Sequence, residues 1–138
     1  MKKIPLIIES VETDSYWGRV QFEDNLLVEN AASISMLEKK MKSLLKEWHN
    51  VEITKISFDL QYDIAGLFDE KKYLNSAVIA ERAGINKSLM RQYASGLKFP
   101  SMERAKEIEK VIHEMGKEML VIKLSGRMNS KSAQKAYS

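Results

Sequence analysis

The stretch from Asn75 to Pro100, NSAVIAERAGINKSLMRQYASGLKFP, constrains this chain more than any other, because its asparagines and glycines punctuate two short helices. Asn75 is placed to cap a first helix beginning at Ser76, its side-chain oxygen accepting from an amide that has no carbonyl partner inside the helix. Ala77, Ile79, Ala80 and Ala83 then give that helix a small apolar face. Gly84 falls where the helix end needs a positive φ, which glycine adopts without a Cβ penalty. Ile85 can plug the core beneath the turn. Asn86 caps a second helix from about Lys87 to Ser95, and Gly96 closes it.

Two helices and a glycine turn of three to four residues make a helix-turn-helix. On the second helix Ile85, Met90 and Tyr93 fall together, while Lys87, Ser88, Arg91, Gln92 and Ser95 point the other way. Arg and Gln have two-pronged ends that fit guanine and adenine edges in the major groove, and Lys and Ser hold phosphates. The candidate DNA-binding set is Asn75, Ser76, Asn86, Lys87, Ser88, Arg91, Gln92 and Lys98. For any one of these residues an ordinary solvated helix face is the better account. The weight lies in the ensemble.

The segment LNSAVIAERAGIN, with Ile79 and Ala80 five and four residues before Gly84, and Gly96 closing the second helix, resembles Cro/repressor-type helix-turn-helix domains. The resemblance covers about residues 63 to 119. Ser76 stands where such domains often carry a Gln that touches DNA phosphate; it can still donate, with a shorter reach.

Upstream the periodicity changes. Ile4 to Ile8 is apolar with Pro5 inside it, which predicts a strand near a sheet edge, where a missing amide donor is tolerated. Glu9 to Ser15 is polar and predicts a turn. Tyr16, Gly18, Val20 and Phe22 alternate against Trp17, Arg19 and Gln21, the period of a half-buried strand. Asp24 and Asn25 predict a second turn before a short strand at Leu26 to Val28. Ser33 reads as the N-cap of a helix to about His49, with Ile34, Leu37, Met41, Leu44, Leu45 and Trp48 on one stripe. Val51 to Leu60 is β-branched but changes parity, which predicts a bulge near Thr54 and Lys55.

Residues 1–62 therefore read as a β-β-β-α-β domain, with the boundary near Tyr62, and residues 63–124 as an all-α helix-turn-helix domain; the fold class is α+β. Gln61 to Tyr73 should hold the junction and a short helix, with Ile64, Ala65, Leu67 and Phe68 beneath the motif. Ser101 caps a long helix whose stripe is Ala105, Ile108, Ile112, Met115 and Met119. Val111 lies beside that stripe, available either to the core or to a homodimer contact. Leu120 to Leu124, LVIKL, reads as a final strand able to pair with a second copy or with an exposed sheet edge. Residues 125–138 have no apolar periodicity and read as a basic mobile tail able to add non-specific DNA affinity.

The first half, through IPLIIES, YWGRVQF and SISMLEKKMKSLLKEW, resembles the N-terminal domain of HicB-type antitoxins. FDLQYDIAGLF leading into RAGINKSLMRQYASGLKFPS resembles the arrangement in such antitoxins that carry a C-terminal DNA-binding domain. The resemblance implies a small cognate HicA-like ribonuclease toxin, blocked by the N-terminal domain. It also implies repression of the antitoxin's own operon through operator double-stranded DNA.

Charge agrees with two partners. Residues 1–63 hold 8 basic and 11 acidic side chains, a net of −3, and residues 64–124 hold 11 and 8, a net of +3. Arg127, Lys131 and Lys135 bring the whole chain to +3. An acidic domain suits a basic protein partner, and a basic one suits DNA.

Several chemistries find no support. There are no cysteines, hence no disulfide, thiolate metal site or cysteine nucleophile. No GxxxxGK[ST], GxGxxG or GxSxG motif is present. His49 and His113 lie far apart without ligand spacing, each open to a catalytic, metal-binding or ordinary helix-surface role. Glu9, Glu12, Asp14, Glu23 and Asp24 gather around two predicted turns; a cluster for metal-assisted cleavage would need rigid, inward placement, so solvated loops are the expectation. We therefore expect no enzyme activity, cofactor or metal. No run of 18 apolar residues is found, and Lys2 and Lys3 lead only into a short apolar run, which suggests a cytoplasmic protein without a membrane partner. A dimer or higher even-numbered oligomer is expected, because two half-sites lie about 34 Å apart on DNA. The alternative function is a stand-alone transcription regulator whose N-terminal domain senses a ligand or dimerises.

Overall fold

The computed structural model describes residues 2–128. The chain is α+β, with a four-stranded mixed sheet and five α-helices among the described residues. Strands β1 (Lys2–Glu12), β2 (Ser15–Phe22) and β3 (Asn25–Ala31) form an antiparallel meander. Thr13 and Asp14 join the first two, both at positive φ (35° and 61°), the backbone twist that suits a tight hairpin. Helix α1 (Ile34–His49) then crosses over, and after a single 3₁₀ turn (Ile53–Lys55) strand β4 (Ile56–Tyr62) pairs parallel to β1. A parallel partner requires such a crossover. The strand order is β3-β2-β1-β4.

This order corrects the expectation that Ile4 to Ile8 lies near a sheet edge: β1 is interior and longer at both ends, running from Lys2 through Glu12. Pro5 is tolerated for a local reason. Pairing with β2 starts only at Ile7, so the nitrogen of Pro5 faces the unpaired part of that side, while Ile8 gives its carbonyl to Asp63 on the β4 side. The bulge is also relocated. It lies in β1 between Ile8 and Ser10, and the parity change near Thr54 and Lys55 is absorbed by the 3₁₀ turn. Glu9 accordingly sits within a strand, where it meets Arg19, and not in a solvent turn.

Helix α1 covers one face of the sheet. Ser33 caps it by accepting from Met36, and Asn50 ends it at φ 54°. Leu37, Met41 and Leu45 are fully buried against Ile4, Leu6, Ile8, Val20, Phe22 and Ile56. Trp48 departs from the expected stripe and is 69% exposed, since in the last turn it is the neighbouring His49 that faces the sheet. His49 packs edge-on to Phe22, centroids 4.8 Å apart, with its Nε2 3.2 Å from the Asn25 amide. That is a packing role.

Helices α2 (Ile64–Glu70), α3 (Ser76–Ala83), α4 (Lys87–Ala94) and α5 (Met102–Leu120) enclose a second core of Ile79, Ala80, Ile85, Met90, Tyr93, Ile108 and Val111. Val111 is thus a core residue at 6% exposure. Met119, placed on the α5 stripe from sequence, is half exposed because it lines an open groove between α2 and α5. Leu120 to Leu124 is not a strand: Leu120 ends α5, and residues 122–128 have no regular secondary structure. Lys131 and Lys135 of the expected tail lie outside the described residues.

Helix α2 joins the two cores. Ile64 and Phe68 pack on the second, while its N-terminus is fastened to the sheet. The Asp63 amide donates to the Ile8 carbonyl at 3.0 Å, and the Val11 amide donates to Asp69 at 3.0 Å. Gly66 lies directly on β1: a Cβ there would stand 2.4 Å from the Ile8 carbonyl oxygen, closer than any side chain permits. No described helix is long and apolar enough to cross a membrane.

Candidate nucleic-acid interface

Helices α3 and α4 are joined by Gly84, Ile85 and Asn86, and local chemistry sets each boundary. Asn75 Oδ1 accepts from Ala77 N (2.9 Å) and Val78 N (3.3 Å). Gly84 adopts φ +68°, and the Ile85 amide returns to the Ala80 carbonyl at 2.8 Å. Asn86 Oδ1 accepts from Ser88 N (2.8 Å) and Leu89 N (3.3 Å). Both caps spend the side-chain carbonyl on their own helix. What Asn75 and Asn86 can offer a ligand is their Nδ2 amides, beside the positive end of a helix.

Met90 and Tyr93 hold α4 by its inner face, at 0% and 8% exposure. Lys87, Ser88, Arg91 and Ser95 are exposed. The expected outward set is brought together with two differences. Gln92 is half buried and its Oε1 is shielded from solvent, because its position on the helix wheel falls at the margin of the packed face. Its side chain does not stand free beside Arg91 as anticipated. Ser76 is also half buried, behind Asn75. Lys98 is exposed, on a segment whose backbone is pinned to α4 by the Leu97 and Lys98 amides donating to the Gln92 carbonyl (2.9 and 3.2 Å).

The cations of this face stand unpaired, as Lys39, Lys42, Lys46, Lys72, Lys110 and Lys117 also do elsewhere among the described residues. Arg19, Arg82 and Arg104 each have a carboxylate partner, as do Lys40, Lys55, Lys71 and Lys106. Arg91, Lys87 and Lys98 have none among the described residues. Three uncompensated cations on and beside one short, capped helix can meet phosphates without first breaking an internal pair.

The neighbouring elements are tied by charge. Arg82 on α3 holds both oxygens of Glu118 on α5; this pairing keeps the Arg82 pKa above and the Glu118 pKa below its ordinary value. At the junction Arg19 meets both oxygens of Asp63, one at 3.0 Å, and Glu9 at 3.1 Å. Its hydrogen bond to Asp63 raises its pKa further, against the opposing effect of burial. The Tyr62 hydroxyl donates to Glu70 at 2.9 Å, and burial, then that bond, pushes its pKa up to about 12. Sequence reasoning missed the Arg19–Asp63 clamp. Alternation placed Arg19 on an outer sheet face, but nothing in the sequence pairs it with a residue 44 positions away.

No group of three or more His, Asp or Glu among the described residues is arranged to hold a metal ion. No protein-family model, curated protein or solved structure matches the chain.

Proposed function

We propose that the chain is the antitoxin of a type II toxin–antitoxin pair, HicB-like in its organisation. Helices α3 and α4 act as a helix-turn-helix that reads operator DNA and represses the operon, and the sheet domain neutralises a small basic ribonuclease toxin. The observation that carries the DNA half is the two-sidedness of α4. Met90 and Tyr93 are buried while Lys87, Ser88 and Arg91 stand exposed, the two cations without a carboxylate partner among the described residues. Arg91 is the base-edge reader and Lys87 and Lys98 are phosphate contacts, with the Asn75 and Asn86 amides positioning the backbone.

Support for the partner half is the excess of acid in residues 1–63 and the sequence resemblance of that region. An acidic surface accelerates and orients association with a basic protein. Co-expression with the adjacent small reading frame tests the pairing. Growth arrest by that product, relieved by this chain, is the expected result. If the product does not arrest growth and this chain still binds DNA, the chain is a stand-alone regulator.

A further inference from the structure

The C-terminal end of α5 carries more exposed apolar surface than a lone chain explains. Leu120 is 86% exposed, Val121 77%, Ile122 61% and Leu124 94%, next to Met119 at 51% and Tyr73 at 74%. Together these six residues expose on the order of 800 Å², backbone atoms included, enough to supply most of what each partner buries in a specific interface of standard size. Contiguous apolar patches on monomers rarely exceed about 300 to 600 Å².

Directly beside this run lies a groove of about 540 Å³ between α2 and α5, lined by Leu67, Leu74, Ile112, Met115, Met119 and Leu120. The segment after α5 does not fill the groove of its own chain. The Ile122 amide turns back to the Met119 carbonyl at 3.2 Å, and none of residues 121–124 lines the groove. A segment and a receptor carried by one chain can be exchanged reciprocally with a second copy about a two-fold axis.

We propose that two copies of this chain dimerise by exchange, each laying Val121–Leu124 into the α2–α5 groove of the other. In an extended segment Ile122 and Leu124 share one side and enter the groove, while Val121 and Lys123 take the other. Lys123 thereby stays in water, clear of Lys71 and Lys117 at the groove wall. The exchange rests on apolar surface alone and holds whether or not α4 reads DNA.

The absence of cysteine gives a direct test. Gly116 lines the groove, and a Cβ there meets nothing within 4 Å, so Gly116→Cys leaves the helix undisturbed. Sedimentation of the full chain should give twice its 15.9 kDa mass. An oxidised mixture of the single variants Gly116→Cys and Leu124→Cys should yield a covalent dimer joined between positions 116 and 124, identified by peptide mass spectrometry. Ile122→Asp combined with Leu124→Asp should sediment as a monomer with an unchanged circular dichroism spectrum. A wild-type monomer at micromolar concentration would overturn the proposal. So would a doubly substituted chain, Gly116→Cys with Leu124→Cys, that closes only on itself, since the segment would then cover its own groove. A dimer with no 116–124 link, or one that the aspartates leave intact, would overturn it as well.

Discussion

The proposed function concentrates the DNA reading in one side chain, Arg91. It follows the fully buried Met90 in sequence and stands exposed, without a carboxylate partner among the described residues. Arg91→Ala should cost about 1 to 3 kcal/mol on operator DNA and relax specificity at one position, with the thermal melt unchanged. Direct titration of the variant checks it. Lys87, Ser88 and Arg91 were legible in the sequence because Ile85, Met90 and Tyr93 already define an inside. Gln92 was not: it lies at the margin of that face, where the packing of a neighbouring element decides burial and a one-dimensional pattern cannot. Gly66 is likewise silent in sequence. It carries no turn, yet its hydrogen is what allows α2 to lie on the Ile8 carbonyl. Gly66→Ala should destabilise the protein by about 1 to 3 kcal/mol through overpacking, whereas Gly116→Ala, in open space, should not; denaturant melts of the two separate these outcomes.

At the level of elements, the caps made the boundaries of α1, α3, α4 and α5 readable within a residue or so. Ser33, Asn75, Asn86 and Ser101 all accept hydrogen bonds from first-turn amides. Removing the side-chain acceptor in Asn86→Ala should cost about 1 kcal/mol of stability and loosen the first turn of α4, seen as faster amide exchange at Ser88 and Leu89. What the sequence concealed were tertiary decisions. The β1 strand continues through the polar Glu9 and Ser10 because Arg19 and the α2 fastening receive that segment, and LVIKL pairs with none of the described strands. The tie between β4 and α2 has its own pH signature. Tyr62 titrates near 10 when unfolded and at about 12 when folded, so between those values the unfolded chain releases a proton that the folded one keeps. Stability should therefore fall as pH rises from 10 toward 12. Tyr62→Phe should flatten that decline in thermal melts taken across the window.

Over the whole molecule, two hydrophobic cores are connected through α2, and the Arg19–Asp63 clamp fixes their junction. The α+β class was readable because period-two patterns are confined to the first half of the chain, around one 3.6-period helix, and the second half is helical throughout. How the halves are fastened was not, since that depends on contacts between residues 44 and 58 positions apart. The acidic sheet unit and the α4 face lie on different elements, so DNA binding and toxin neutralisation should be separable: Arg91→Ala should still rescue growth from the toxin. The most direct test of the central claim is the affinity of the full-length protein for the DNA upstream of its own coding sequence, set against a scrambled duplex, over a range of salt. The account requires clear preference for the native sequence, loss of that preference in Arg91→Ala, and a salt slope reduced by about one in Lys87→Ala. Equal affinity for both duplexes, or an Arg91→Ala protein that binds the native site as well as the wild type, would contradict it.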